Sequence, residues 1–200
     1  MTNLAIKPLA PELAPDYLDF FENRAFTDDS PYRCYCQLYQ MTAAQAQTAC
    51  DGVDPADIGP ASREIARQQI LSGALQGYLA YADGVSIGWC NANDMVNYPA
   101  GPGPAERFQM TFEKRAPRRV KTVACFEIAP AYRLRGVATA LLRQVISDAR
   151  AQGYIAVEAF PVIRAQRYEW DCAGPLRLYQ KAGFVKIKEH DKIALMRKVL

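Results

Sequence analysis

The 200-residue sequence predicts an α/β protein in which one mixed sheet carries helices on both faces. Three observations lead there. Apolar β-prone runs alternate with segments of helical period in the order β-α-α-β-β-β-α-β-α-β-β. Half of the residues are hydrophobic and 22% are charged, the balance of a soluble globular chain rather than a disordered one. The length suits a single domain, residues 1–200, around one core.

Along the chain, "LAIKPL" forms a short first strand. "PELAPDYLDFFENR" puts Leu13, Tyr17, Leu18 and Phe21 on one helical face, with Pro11 and Pro15 tolerable only near its first turn. Residues 25–60 mix turn formers with alanine-rich pieces and set no boundaries. A second helix runs from about Ser62, an acceptable N-cap, to about Leu71. "GYLAYADGVSIGWCNAND" reads as a hairpin turning at Asp83-Gly84, a pair that tolerates positive φ. From Val96 to Arg119 proline, glycine and basic residues mark a long connection or flap. "KTVACFEI" is a buried central strand, and residues 136–150 form an amphipathic helix ended by Gly153. "YIAVEAF" is a strand, residues 162–174 an irregular loop, and "PLRLYQKAG" a short helix stopped by Gly183. "FVKIK" and "KIALMRKVL" pair through "EHD", which leaves His190 in a surface turn.

A net charge of +3 is too small for a nucleic-acid binder. Basic residues do gather, at Lys114, Arg115, Arg118, Arg119 and Lys121, and again at Arg133, Arg135 and Arg143. The first cluster reads as a solvated face; the others leave room for a local anion site. The N-terminal segment is no secretory signal and no window has the length of a membrane span, so a cytoplasmic protein without a membrane partner is expected. Six cysteines match no small disulfide framework, and reduced thiols are expected. Cys34 and Cys36 could ligate a soft metal or cycle as a redox pair, but no second pair at zinc spacing completes a site. No metal is expected there, and "YRCYCQLY" lines a substrate wall or packs inside. "GPGPAE" is no nucleotide loop: Glu106 stands where glycine is needed and its prolines lack amide donors.

The informative stretch is "FEIAPAYRLRGVATALLRQVISDAR". A strand entering a helix this way leaves the N–H groups of the first helical turn unpaired, with the helix dipole adding partial positive charge. Gly136 lets those amides approach a diphosphate, Val137 and Ala138 pack the helix start inward, and Arg133 and Arg135 can add charge-assisted bonds. The residues alone also fit a plain strand-helix corner.

Arg133, Gly136 and Ala138, as R-x-x-G-x-A between an apolar strand and an amphipathic helix, resemble the acyl-CoA pyrophosphate loop of the GNAT superfamily of N-acetyltransferases. "LYQKAGF", residues 178–184, is similar to a second block of that family. The resemblance covers about residues 121–188 and implies a mostly antiparallel sheet with a V-shaped splay between the fourth and fifth strands. It implies acetyl-CoA as co-substrate, with the backbone of Phe126, Glu127 and Ile128 on the pantetheine and thioester. The amides of Leu134, Arg135, Gly136, Val137, Ala138 and Thr139 would hold the pyrophosphate. The family's asparagine seven positions before its tyrosine, a pantetheine contact, is Cys172 here; a thiol does not supply both amide functions.

Acetylating an amine needs a base for the nucleophile and an acid for the departing thiolate. Tyr179 matches the family's tyrosine, and a phenol is protonated at neutral pH and ready to donate. For the base, Glu127 inside the central strand and Glu158 on the next strand are the candidates; each could equally be an arginine-paired carboxylate. The expected activity is acetyl transfer to a primary amine, on a small molecule or peptide, by direct attack in a ternary complex. A non-catalytic acyl-CoA sensor is the alternative, and a homodimer is left open.

Overall fold

β4 (Val120–Ile128) organises the molecule, because nearly every side chain along it is buried and both of its edges carry other strands. A computed structural model describes residues 3–30, 33–42, 44–45, 47, 58–98, 119–166, 168–169 and 171–200. The other strands are β1 (Leu4–Pro8), β2 (Gly77–Ala82), β3 (Val85–Asp94), β5 (Ala156–Ala159), β6 (Val185–His190) and β7 (Ile193–Val199). They form one seven-stranded sheet in the order β1-β2-β3-β4-β5-β7-β6. Only β4 and β5 run parallel; every other neighbouring pair is antiparallel.

Helices α1 (Ala14–Asn23) and α2 (Ile58–Leu71) cover one face, with Tyr17, Phe20, Phe21 and Ile70 packed against Leu79, Tyr81, Trp89 and Cys125. The Tyr17 and Trp89 rings meet edge to face at 4.9 Å, a favoured aromatic geometry. On the other face α3 (Val137–Ala151) buries Val137, Leu141, Leu142, Val145, Ile146 and Ala149, the stripe its sequence predicts. The short α4 (Leu176–Lys181) adds Tyr179 to that layer.

Local chemistry explains most boundaries. Asp83 (φ 50°) and Gly84 (φ 83°) make the β2–β3 turn with both central residues at positive φ, as expected. Pro11 opens a 3-10 turn and Pro15 sits in the first turn of α1, where no amide donor is missed. Helix α2 starts at Ile58, four residues before the expected Ser62 cap. Pro60 is tolerated in that first turn, and Ser62 is buried inside the helix. The last hairpin turns at Asp191 (φ 47°) and Lys192 (φ 64°), so His190 ends β6 rather than lying in the turn. Cys34 and Cys36 lie in irregular chain rather than on a strand; Cys36 is buried against α1. The basic residues Lys114, Arg115 and Arg118, the "GPGPAE" segment and most of the expected flap lie outside the described residues.

Two irregularities in β4 open one end of the sheet. Its register against β3 jumps from Asn91↔Cys125 to Ala92↔Val123, so Ala124 is an extra, bulged residue. Its pairing with β5 covers only Val120–Val123 against Ala156–Ala159, after which the strands part.

Candidate active site

The split leaves the β4 edge from Ala124 to Ile128 without a β5 partner, and a cleft of about 810 Å³ opens there. That volume suits a small-molecule or cofactor site. Its walls are the β4 end, the turn into α3, the loop after β5 and the start of α4. Of the residues singled out from sequence for the co-substrate, Phe126, Glu127, Ile128, Arg133, Leu134, Gly136, Val137, Ala138, Thr139 and Cys172 all line it. Arg135 does not; its guanidinium sits 5.9 Å above the Tyr132 ring.

Backbone geometry supplies donors. The Phe126 N–H points away from β3 and donates to the Cys172 carbonyl at 2.6 Å. Two residues on, the Ile128 N–H faces the same side of the strand, into the cleft. Beyond it Gly136 caps α3 at φ 85°, ψ 2°, with no side-chain cap on the helix. The first intrahelical bond runs from Ala140 N–H to Gly136 C=O at 3.0 Å, so the amides of Val137, Ala138 and Thr139 precede the helical ladder. Nothing lies within 4 Å of the point a Gly136 Cβ would occupy. Open space, unpaired amides and a helix dipole at one end of a split sheet fit a diphosphate tail with its thioester arm running along β4. Gly88 lets the helix sit this close: a Cβ there would come within 2.9 Å of Ile128 Cδ1 and 3.0 Å of Val137 Cγ1.

Arg133 lines the cleft and is also held by partners at the strand end. Its side chain is only 16% exposed, paired with Asp28 and 3.5 Å from Glu127 Oε1, while its Nε donates to the Ile128 carbonyl at 3.1 Å. These partners hold the guanidinium at the strand end. Asp28 is 105 residues away in sequence, and no local pattern announces it.

Glu127 lies on the α1 side of β4, and burial pushes its carboxyl up from 4.5 to about 7 against the opposing pull of Arg133. Glu158 is placed differently. It sits on β5 opposite Thr122 in the paired half of β4, fully buried, bound to the Arg197 guanidinium and away from the cleft lining. Tyr179 is fully buried between Phe126 and Phe184, and its hydroxyl donates to the Ala173 carbonyl at 2.6 Å. Burial raises its pKa, so the phenol holds its proton. It does not line the cleft, although Gly174, Pro175 and Leu178 around it do.

The loop after β5 contributes walls that the sequence leaves unassigned: Arg164 stacks 4.7 Å from the Tyr168 ring and lies 3.3 Å from Asp171. Trp170 lies outside the described residues. The Cys172 thiol is shifted down by hydrogen bonds from Cys125 and Tyr39, while Cys125 is shifted up. Among the described residues no cluster of three or more His, Cys, Asp or Glu is arranged to hold a metal ion, and no helix is long and apolar enough to cross a membrane.

The family model for GNAT acetyltransferases matches residues 38–184. The chain belongs to the GNAT acetyltransferase family and is an acetyltransferase. Solved structures share the fold over whole chains. A GNAT acetyltransferase from Streptococcus pneumoniae aligns with TM-score 0.55 and 18% identity, covering 99% of each chain. Polyamine N-acetyltransferase from Drosophila melanogaster aligns at 0.57 with 13% identity, covering 99% of this chain and 100% of the other. The PaiA N-acetyltransferase of Thermoplasma acidophilum, solved with coenzyme A, aligns at 0.54 with 12% identity over 100% of both. No match is found among curated proteins.

Proposed function

We propose that the protein transfers an acetyl group from acetyl-CoA to a primary amine by direct attack in a ternary complex. The observation that carries this reading is the coincidence of three features on one cleft: the open β4 edge, the uncapped α3 N-terminus and a carboxylate beside them. The amides of Gly136 to Thr139 bind the pyrophosphate, and Ile128 N–H, with Phe126 N–H once Cys172 yields it, polarises the thioester carbonyl. Such a donor is worth most in the transition state, where negative charge grows on that oxygen.

Glu127 is the base, directly or through one water. A carboxylate titrating at about 7 is half ionised at neutral pH and basic enough to take a proton from an attacking ammonium. Tyr179 is the proton donor to the departing thiolate; in that role its hydroxyl leaves the Ala173 carbonyl and turns to the cleft. Glu158 serves the sheet through Arg197.

One observation favours a second reading, a non-catalytic acyl-CoA sensor: the Tyr179 hydroxyl and the Phe126 amide are both engaged by the same loop, at Ala173 and Cys172. A panel of primary amines with acetyl-CoA, monitored by thiol release, separates the two. Turnover with any amine above the hydrolysis rate supports the enzyme. Tight CoA binding with silence across the panel supports the sensor.

A further inference from the structure

Four thiols gather at the open end of β4. Cys125 on the strand meets Cys36 from the segment after α1 and Cys172 from the loop before α4, and Cys34 interacts with Cys36 and Cys172. All four are free thiols of unequal access: Cys172 is exposed and lines the cleft, Cys34 is half-buried, and Cys36 and Cys125 are buried. The proposed mechanism uses none of these sulfurs.

The meeting of Cys125 with Cys172 has a cause in the backbone. Where β5 parts from β4, the loop before α4 takes its place on the strand edge, and the Phe126 N–H donates to the Cys172 carbonyl at 2.6 Å. That bond joins the peptide unit following Cys125 to the one following Cys172, so the two Cα atoms lie within about 7 Å, the reach of a disulfide. The thiols themselves are hydrogen-bonded. Bonds from Cys125 and Tyr39 draw the Cys172 thiol below its ordinary pKa, so more of it is thiolate at neutral pH, and the cleft admits small oxidants to it. An exposed thiolate beside a sheltered second thiol has the layout of a redox-sensing cysteine and its resolving partner.

We propose that Cys172 is an oxidation site, and that hydrogen peroxide links it to Cys125 in a reversible disulfide. The Cys172 thiolate attacks one peroxide oxygen: an S–O bond forms, the O–O bond breaks and hydroxide leaves, the sulfur giving up two electrons to the peroxide. The Cys125 sulfur then attacks the resulting sulfenic acid. The S–S bond forms, the S–O bond breaks, and the oxygen departs as water with the Cys125 proton. A dithiol reductant reverses the link by thiol–disulfide exchange. The consequence falls on the strand edge: the linked form keeps the Cys172 carbonyl on the Phe126 N–H, so the edge does not open to a thioester arm. That consequence rests on the acetyl-CoA reading of the cleft, whereas the link does not.

The test treats the full chain with hydrogen peroxide, removes the oxidant, and splits the sample between peptide mapping after alkylation and calorimetric titration with acetyl-coenzyme A, which has no thiol to reduce the link. The expected map contains a Cys125–Cys172 peptide, and the thiol count of the denatured chain drops from six to four. Affinity falls about tenfold or more as the competent form is depleted, and dithiothreitol restores both. A Cys172 that stays reduced, stops at sulfenic or sulfinic acid, or joins Cys34 or Cys36 overturns the site. A Cys125–Cys172 link with undiminished affinity overturns its effect on the edge and leaves the proposed function standing. Failure of the reduced protein to bind acetyl-coenzyme A overturns the proposed function, and the peptide map still decides the link.

Discussion

In the proposed mechanism Glu127 concentrates the chemistry of the cleft into one titration. Because burial raises its pKa to about 7, it is a free base above that pH and a neutral acid below it. The logarithm of kcat/KM should therefore climb with pH up to about 7, with a further rise from the acceptor amine itself. Glu127→Gln should remove the limb near 7 and lower kcat by about 10²-fold or more; a pH–rate profile of both forms checks this, and an unchanged limb would move the base elsewhere. Tyr179→Phe tests the acid. Loss of about 10²-fold in kcat with KM nearly constant is expected of a proton donor. A variant that only unfolds earlier, by about 1–3 kcal/mol for the orphaned Ala173 carbonyl, would mark the hydroxyl as structural. Glu158 is proposed to serve stability: Arg197→Met removes the guanidinium that faces its buried carboxylate and should lower stability by about 1–3 kcal/mol in denaturant unfolding.

At the scale of elements, the β4–turn–α3 unit forms the proposed co-substrate site, and two glycines set its geometry. Gly136→Glu should abolish detectable coenzyme A binding by placing a like charge at the cradle and straining a residue at φ 85°. Gly88→Ala acts at a distance. Its methyl pushes on Ile128 and Val137, so a drop in coenzyme A affinity together with about 1 kcal/mol of stability is expected, by titration and thermal melt. The first of these glycines is legible in the sequence, since a strand, R-x-x-G-x-A and a helical stripe are all local patterns. Gly88 is not, because nothing within the β2–β3 hairpin says which helix will lie across it. The same divide separates Glu127 from Glu158. Both are carboxylates in apolar strands, and only the register of β5 and β7 shows that Arg197 stands opposite the second. The surroundings of Arg133 divide the same way: its sequence neighbours are local, while its partner Asp28 comes from a distant part of the chain.

For the molecule as a whole, the β2–β3 and β6–β7 hairpins and the parallel crossover through α3 follow from element order, whereas the insertion of β7 between β5 and β6 is set by long-range pairing. The segment around Cys34 to Tyr39, packed against α1, and the loop after β5, which lines the cleft, have irregular turn chemistry and long-range contacts, and no local pattern announces what either would present to an acceptor. Cys172 lies near Glu127 and interacts with Cys125, and Asn91 ties the Cys34–Tyr39 segment to the sheet by donating to the Cys36 carbonyl at 3.1 Å. Asn91→Leu should loosen this segment and raise the KM for the amine while leaving coenzyme A affinity close to that of wild type, by steady-state kinetics and titration.

A sheet that unzips partway along its middle has a consequence for how the protein breathes. The peptide hydrogens of Val123 and Ile128 lie a few residues apart on one strand, yet only the first is locked inside the ladder. In deuterated solvent they should keep different clocks, slow for Val123 and fast for Ile128, until a thioester arm fills the gap and brings the two into step.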